Sequence, residues 1–75
     1  MGTAYPNERI ADRMRELANA VKERKAGQAI LLLDELYCFS ELHPRKWQAT
    51  LRARCNESER EAIIAALKLY AESGV

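Results

Sequence analysis

The sequence has few of the residues that interrupt or cross-link a fold, with three glycines, two prolines and two cysteines among 75 residues. Scarce glycine and proline beside abundant aliphatic residues are typical of a helical protein. Cys38 and Cys55 are too few for a disulfide framework. We therefore expect reduced thiols and a cytoplasmic location, with a single bridge between the two cysteines as the alternative.

Long hydrophobic runs and an excess of one charge are also lacking. No apolar run, the one at residues 29–33 included, is long enough to cross a bilayer, and residues 1–10 lack the apolar centre of a secretory signal. Twelve Lys and Arg nearly balance eleven Asp and Glu, which leaves a net charge of +1. This balance by itself favours neither nucleic acid nor an anionic membrane as partner, and we expect no membrane contact.

Apolar residues recur at helical spacing along the chain and predict an all-α fold in a single domain, residues 1–75. We expect a small, compact bundle of four helices, three long and one short. The predicted helices span about 8–25, 28–42, 44–54 and 59–73, after an N-terminal tail of residues 1–6. Bundle-like and orthogonal packing both fit this pattern, and the closest alternative joins the last two helices into one.

Short polar motifs predict where these helices begin and end. Asn7 suits the N-cap of the first helix, and Gly27 suits a left-handed residue at its C-terminal end. Pro44 suits the first position of the third helix. Ser58 and Glu61 have the spacing of a capping box, which predicts that the fourth helix begins near residue 59.

The first helix carries a narrow apolar side formed by Ile10, Met14, Leu17 and Val21. A narrow apolar side is typical of a peripheral helix that covers one neighbour. We therefore expect the second and fourth helices to form the core, with the first helix packed on the broad face of the second.

The second helix is apolar on two sides. Its broad face contains Ala29, Ile30, Leu32, Leu33, Leu36, Tyr37 and Phe39, and the opposite side contains Leu31, Cys38 and Leu42. Only two thin polar edges separate them, Asp34 with Glu41 and Gln28 with Glu35. A chain of this length hides only about 60% of the surface of its unfolded state. A second apolar side therefore predicts contact with another molecule.

These features predict a non-enzymatic protein–protein interaction module, a small adaptor, inhibitor or anti-activator. We expect it to form a homodimer, to bind a larger protein, or to do both. Tyrosines suit either a core or the wet edge of an interface, and Leu69 widens the apolar side of the fourth helix. The predicted interface residues are Leu31, Tyr37, Cys38, Leu42, Leu69 and Tyr70.

The third helix supports an alternative function, because residues 43–56 sum to a charge of +4. Arg45, Lys46, Arg52 and Arg54 could contact phosphates or an acidic protein, and Trp47 could stack on an unpaired base. A solvated basic face over a buried Trp47 explains the same pattern. A helix–turn–helix reader is disfavoured, since three glutamates between residues 57 and 61 would repel phosphate where the recognition helix begins.

Catalytic and metal-binding patterns are weak. Cys38, His43 and Cys55 offer three ligand types that zinc accepts, but a structural zinc site needs four ligands in close pairs. The same residues could form a cysteine–histidine nucleophile, but no third orienting group or oxyanion turn accompanies them. We expect no catalytic residue, metal, cofactor or small-molecule substrate, and we expect both cysteines to serve as small buried hydrophobic residues.

Overall fold

A computed structural model describes residues 6–73 of the chain. They form α1 (Pro6–Lys22), α2 (Ala26–Leu42), α3 (Pro44–Arg54) and α4 (Glu57–Glu72). The predicted all-helical fold with three long helices and one short helix is confirmed over this range. The first five residues of the predicted tail lie outside the described residues, and Pro6 already belongs to α1.

The predicted ends of α1 are wrong at both sites. The helix begins at Pro6, so Asn7 lies within its first turn, and proline is favoured there because its fixed φ suits a helix start. At the other end Arg24 adopts the left-handed conformation, with φ 59°. The amide of Lys25 donates to the carbonyl of Ala20 at 2.9 Å, as in a Schellman motif. Gly27, predicted to end α1, lies inside α2.

The predicted capping box of α4 is wrong in its residues. Asn56 is the N-cap, and its side chain accepts a hydrogen bond from the amide of Glu59 at 2.8 Å. The Glu59 carboxylate accepts from the amide of Asn56 at 2.9 Å, which completes the box two residues before Ser58 and Glu61. Cys55 is extended, so α3 and α4 are separate helices, as predicted.

The core is built around α1, which contradicts its predicted place at the periphery. α1 contacts all three other helices and buries six apolar residues, which are Ile10, Ala11, Met14, Leu17, Ala18 and Ala20. On α4, Ile63 is buried and its other apolar residues are half-buried or exposed. The alanines widen the apolar side of α1, because small side chains let neighbouring helices approach closely. The expectation that α2 and α4 form the core is therefore confirmed for α2, which buries Leu32, Leu33 and Leu36, and wrong for α4.

Exposed ion pairs connect α1 to its neighbours. The Arg13 side chain lies 3.5 Å from the Glu35 carboxylate of α2 and 3.1 Å from that of Glu16. Arg54 of α3 pairs with Glu8 of α1. Such partly exposed pairs contribute little stability, about 0–1 kcal/mol each, but they fix which charges lie beside one another. No helix within residues 6–73 has both the length and the apolar composition needed to span a bilayer.

Candidate functional site

An apolar groove lies between α2 and α4, with Val21 of α1 contributing to one part of its wall. Its volume is about 430 Å³, and five alanines line it. Ile30 on the α2 side and Leu69 on the α4 side are 53% and 68% exposed. None of the lining residues is charged. The groove is therefore an uncharged hollow with a large exposed apolar side chain on each of its two helices.

Two tyrosines connect α2 to α4 beside this groove. The rings of Tyr37 and Tyr70 lie 5.4 Å apart between centroids, tilted by 58°. The Tyr70 hydroxyl donates a hydrogen bond to the Asp34 carboxylate. Both tyrosines are half-buried. These contacts connect the two helices, which is a structural role. Tyr70 also lines the groove, so it can contact a second molecule there as well.

A second apolar surface lies on the opposite side of α2. Leu31, Cys38 and Leu42 form it, and we call it the outer face. Leu31 is 72% exposed and Leu42 is 74% exposed, whereas Leu36 on the buried side of the same helix is 0% exposed. Leu42 follows Leu31 by eleven residues, which along a helix is about 16 Å. The outer face therefore runs along three turns of α2.

Five of the six predicted interface residues belong to two surfaces, and the sixth, Tyr37, packs against Tyr70 beside the groove. Leu31, Cys38 and Leu42 lie on the outer face, whereas Leu69 and Tyr70 line the groove. Sequence reasoning missed Ile30, which it placed on the covered face of α2. Ile30 lies at the edge of that face, and the small residues Ala62 and Ala66, one helical turn apart on α4, leave it uncovered.

The two cysteines differ in their surroundings, and both are free. Cys38 is exposed, so the expectation that it is buried is wrong; its position on the outer face explains why. Cys55 is buried, with its Sγ 3.9 Å from the Sδ of Met14. Burial raises the pKa of the Cys55 thiol, the Glu59 carboxylate raises it further, and Arg15 and Arg60 partly offset this. Over residues 6–73, no three His, Cys, Asp or Glu side chains are grouped to hold a metal ion.

The four basic residues of α3 do not form a single patch. Arg45 and Arg52, seven residues apart, share the side of α3 that faces away from the core, and Lys46 is also exposed. Arg54 points towards α1, where it pairs with Glu8. Trp47 is buried, so its ring is not available to stack on a base. α3 presents an ordinary solvated basic face over a buried side.

Comparisons with protein families, with curated proteins and with solved structures found no match to this chain. A function is therefore inferred from the described surfaces alone. They are the uncharged groove, the outer face and the basic side of α3.

Proposed function

We propose that this chain is a non-enzymatic protein–protein interaction module that forms a homodimer through the groove between α2 and α4. As a dimer it would act as a small adaptor, inhibitor or anti-activator that covers part of a larger protein. The observation that carries the proposal is the pair of exposed side chains, Ile30 and Leu69, beside an alanine-lined hollow without charge.

A second copy of the chain suits this groove because the surface is complementary to itself. In a twofold dimer the same patch of each copy meets its counterpart, so each copy offers both the projecting residues and the hollow. Large side chains that pack against small ones fill the space between helices without strain. The groove lining carries no charged residue, and within residues 6–73 the one carboxylate hydrogen-bonded to it, Asp34, is held by the Tyr70 hydroxyl at its edge, so charge repulsion between two copies is small there.

The outer face suits self-association less well. Asp34 and Glu41 lie along one of its edges, seven residues apart, and both are exposed. An antiparallel twofold contact of two α2 helices through this face would bring these carboxylates close to the same carboxylates of the second copy. Like charges that meet at an interface weaken the contact, so the groove is the better surface for a homodimer.

Light scattering on a sizing column, over a range of protein concentrations, tests the proposal. We expect a species of twice the 8.6 kDa chain mass. Leu69→Glu should weaken self-association at least about 100-fold, because the variant would bury an unpaired charge at the interface. Leu31→Glu is the matched control, since it places the same charge on the outer face and should leave the dimer intact.

Two outcomes would contradict the proposal. A wild-type chain that stays monomeric at every concentration has no self-association surface. A dimer that dissociates with Leu31→Glu and persists with Leu69→Glu uses the outer face instead. Circular dichroism of both variants should show unchanged helicity, because Leu31 and Leu69 are exposed in the single chain.

Nucleic-acid binding through α3 has less support. Trp47 is buried and Arg54 pairs with Glu8, so Arg45, Lys46 and Arg52 are the basic residues of α3 left for phosphates. Binding through these residues would fall steeply as salt is added. An electrophoretic shift of DNA or RNA at low salt, lost in Arg45→Gln/Arg52→Gln, would favour this alternative over the interaction module.

A further inference from the structure

We propose that the outer face of α2 binds a cationic amphipathic helix of a second protein. This inference rests on the proposed function, because it assigns a partner to the surface that a groove-mediated dimer leaves free. The juxtaposition that carries it is an exposed apolar row, Leu31, Cys38 and Leu42, along one acidic edge, Asp34 and Glu41.

The apolar row has the spacing of a helix-binding surface. Cys38 follows Leu31 by seven residues and Leu42 follows Cys38 by four, so all three lie on one side of α2. Leu31 and Leu42 are each more than 70% exposed. An amphipathic helix places apolar residues at positions i, i+3, i+4 and i+7, which matches a row of this kind.

The charges on α2 determine whether a partner helix should be cationic or anionic. The helix contains three acidic residues, Asp34, Glu35 and Glu41, and no Lys or Arg. Glu35 lies 3.5 Å from Arg13 and 4.0 Å from Arg9 of α1, so the edge that it occupies is balanced. Within residues 6–73, Asp34 and Glu41 have no such cationic partner, and the Tyr70 hydroxyl bonded to Asp34 is neutral. The unbalanced negative charge therefore lies along the other edge.

A partner helix fits this edge if it carries Lys or Arg beside its apolar row. Asp34 and Glu41 are two helical turns apart, about 10 Å along the axis, and cations with that separation would pair with both. α3 of a second copy does not meet the description. Its exposed side carries Arg45 and Arg52 with Gln48 and Ala49, and it lacks a large apolar residue.

Two synthetic peptides of matched sequence test the inference, each about 18 residues long so that a helix can form. Both have leucine at the same helical positions, with lysine at the polar positions of one and glutamate at those of the other. Each peptide carries a fluorophore, and its anisotropy is measured as the wild-type protein is added at low salt. We expect the lysine peptide to bind at least about tenfold more tightly than the glutamate peptide.

Variants of the protein locate the binding surface. Leu31→Gln/Leu42→Gln should weaken binding of the lysine peptide at least about tenfold, because it removes the apolar row without adding charge. Leu69→Gln, the matched change in the groove, should leave peptide binding unchanged. Glu41→Gln should weaken binding by less and make it less sensitive to salt.

Three results would overturn the inference: no binding of the lysine peptide, equal binding of both peptides, or unchanged binding by Leu31→Gln/Leu42→Gln. None of them bears on self-association, which the mass of the wild-type protein reports separately. If the protein is a dimer that binds neither peptide, the proposed function is supported and this partner is contradicted. If the protein is a monomer that binds only the lysine peptide through Leu31 and Leu42, the proposed partner is supported and the homodimer is contradicted.

Discussion

The groove and the outer face are both apolar surfaces to which α2 contributes, yet they differ in charge. The groove has no charged residue in its lining and meets one carboxylate, Asp34, at its edge through Tyr70, whereas both Asp34 and Glu41 border the outer face. Exposed apolar area indicates that a surface contacts another molecule, but it does not select the molecule. Charge at the edge makes that selection, because it penalises partners of the same sign. One helix can therefore serve two different partners.

The largest expected effect is a difference in stability between substitutions on the buried side of α2 and substitutions on its outer face. Leu36 is fully buried, so Leu36→Ala should lower the free energy of unfolding by about 2–5 kcal/mol. Leu31→Ala should change it by less than about 0.5 kcal/mol, since Leu31 is exposed. Urea unfolding of the monomer at low concentration measures both changes. A loss above 1 kcal/mol for Leu31→Ala would mean that the outer face is buried within the single chain.

Thiol labelling distinguishes the two surfaces through Cys38. A maleimide should modify Cys38 at least roughly 100-fold faster than Cys55, because the buried thiol reacts only after local opening. Cys38→Ser and Cys55→Ser assign the two rates by mass spectrometry. The Cys38 rate should not depend on protein concentration if the dimer forms through the groove, and the lysine peptide should slow it. Slower labelling at higher protein concentration would place the outer face in the dimer.

Added salt should weaken peptide binding about tenfold and should hardly change self-association. Raising the ionic strength from about 0.05 M to 0.5 M shortens the screening length and should weaken binding of the lysine peptide about tenfold. The dissociation constant of the homodimer should change by less than about twofold, because the groove lining is uncharged. Parallel titrations by anisotropy and light scattering give both values. A salt-sensitive homodimer would indicate that charged residues contribute to self-association.

The smallest expected effect concerns the turn between α1 and α2, which joins Val21 to Ala26 at the groove. Arg24 has a φ of 59°, where glycine costs less than other residues, so Arg24→Gly should stabilise the chain by about 1 kcal/mol. Thermal unfolding measures the change.

Gly27→Ala is the control for this turn. Gly27 lies inside α2 with no atom within 4 Å of an added Cβ, so alanine should stabilise the helix by about 0.5–1 kcal/mol. Neither variant should alter dimer mass. Destabilisation by Arg24→Gly alone would show that the left-handed residue lies elsewhere in the turn.

Several features could be predicted from the sequence because they depend on neighbours along the chain. The bounds 44–54 predicted for the third helix match Pro44–Arg54, since proline suits the first helical position. The exposure of Leu31 and Leu42 followed from helical spacing on a helix that is apolar on two sides. Two choices failed for local reasons. Asn56 competed with Ser58 for the N-cap of α4, and Arg24 instead of Gly27 adopted the left-handed conformation.

The central position of α1 could not be predicted in the same way. Counting large apolar residues suggested a narrow side, but Ala11, Ala18 and Ala20 are buried as well. An alanine in a helix can face solvent or lie against a neighbouring helix at little cost. The sequence pattern therefore does not show whether it is buried, which depends on how the other helices pack.

The amino-acid sequence by itself determined four helices and the apolar outer face of α2, because helical periodicity and the break at His43-Pro44 are local properties. Only the tertiary structure decided that α1 occupies the centre and that a groove remains between α2 and α4. The reason is the volume of side chains that lie far apart in the chain. Buried residues on α1 determine where each neighbour packs, and the alanines of α2 and α4 leave Ile30 and Leu69 uncovered.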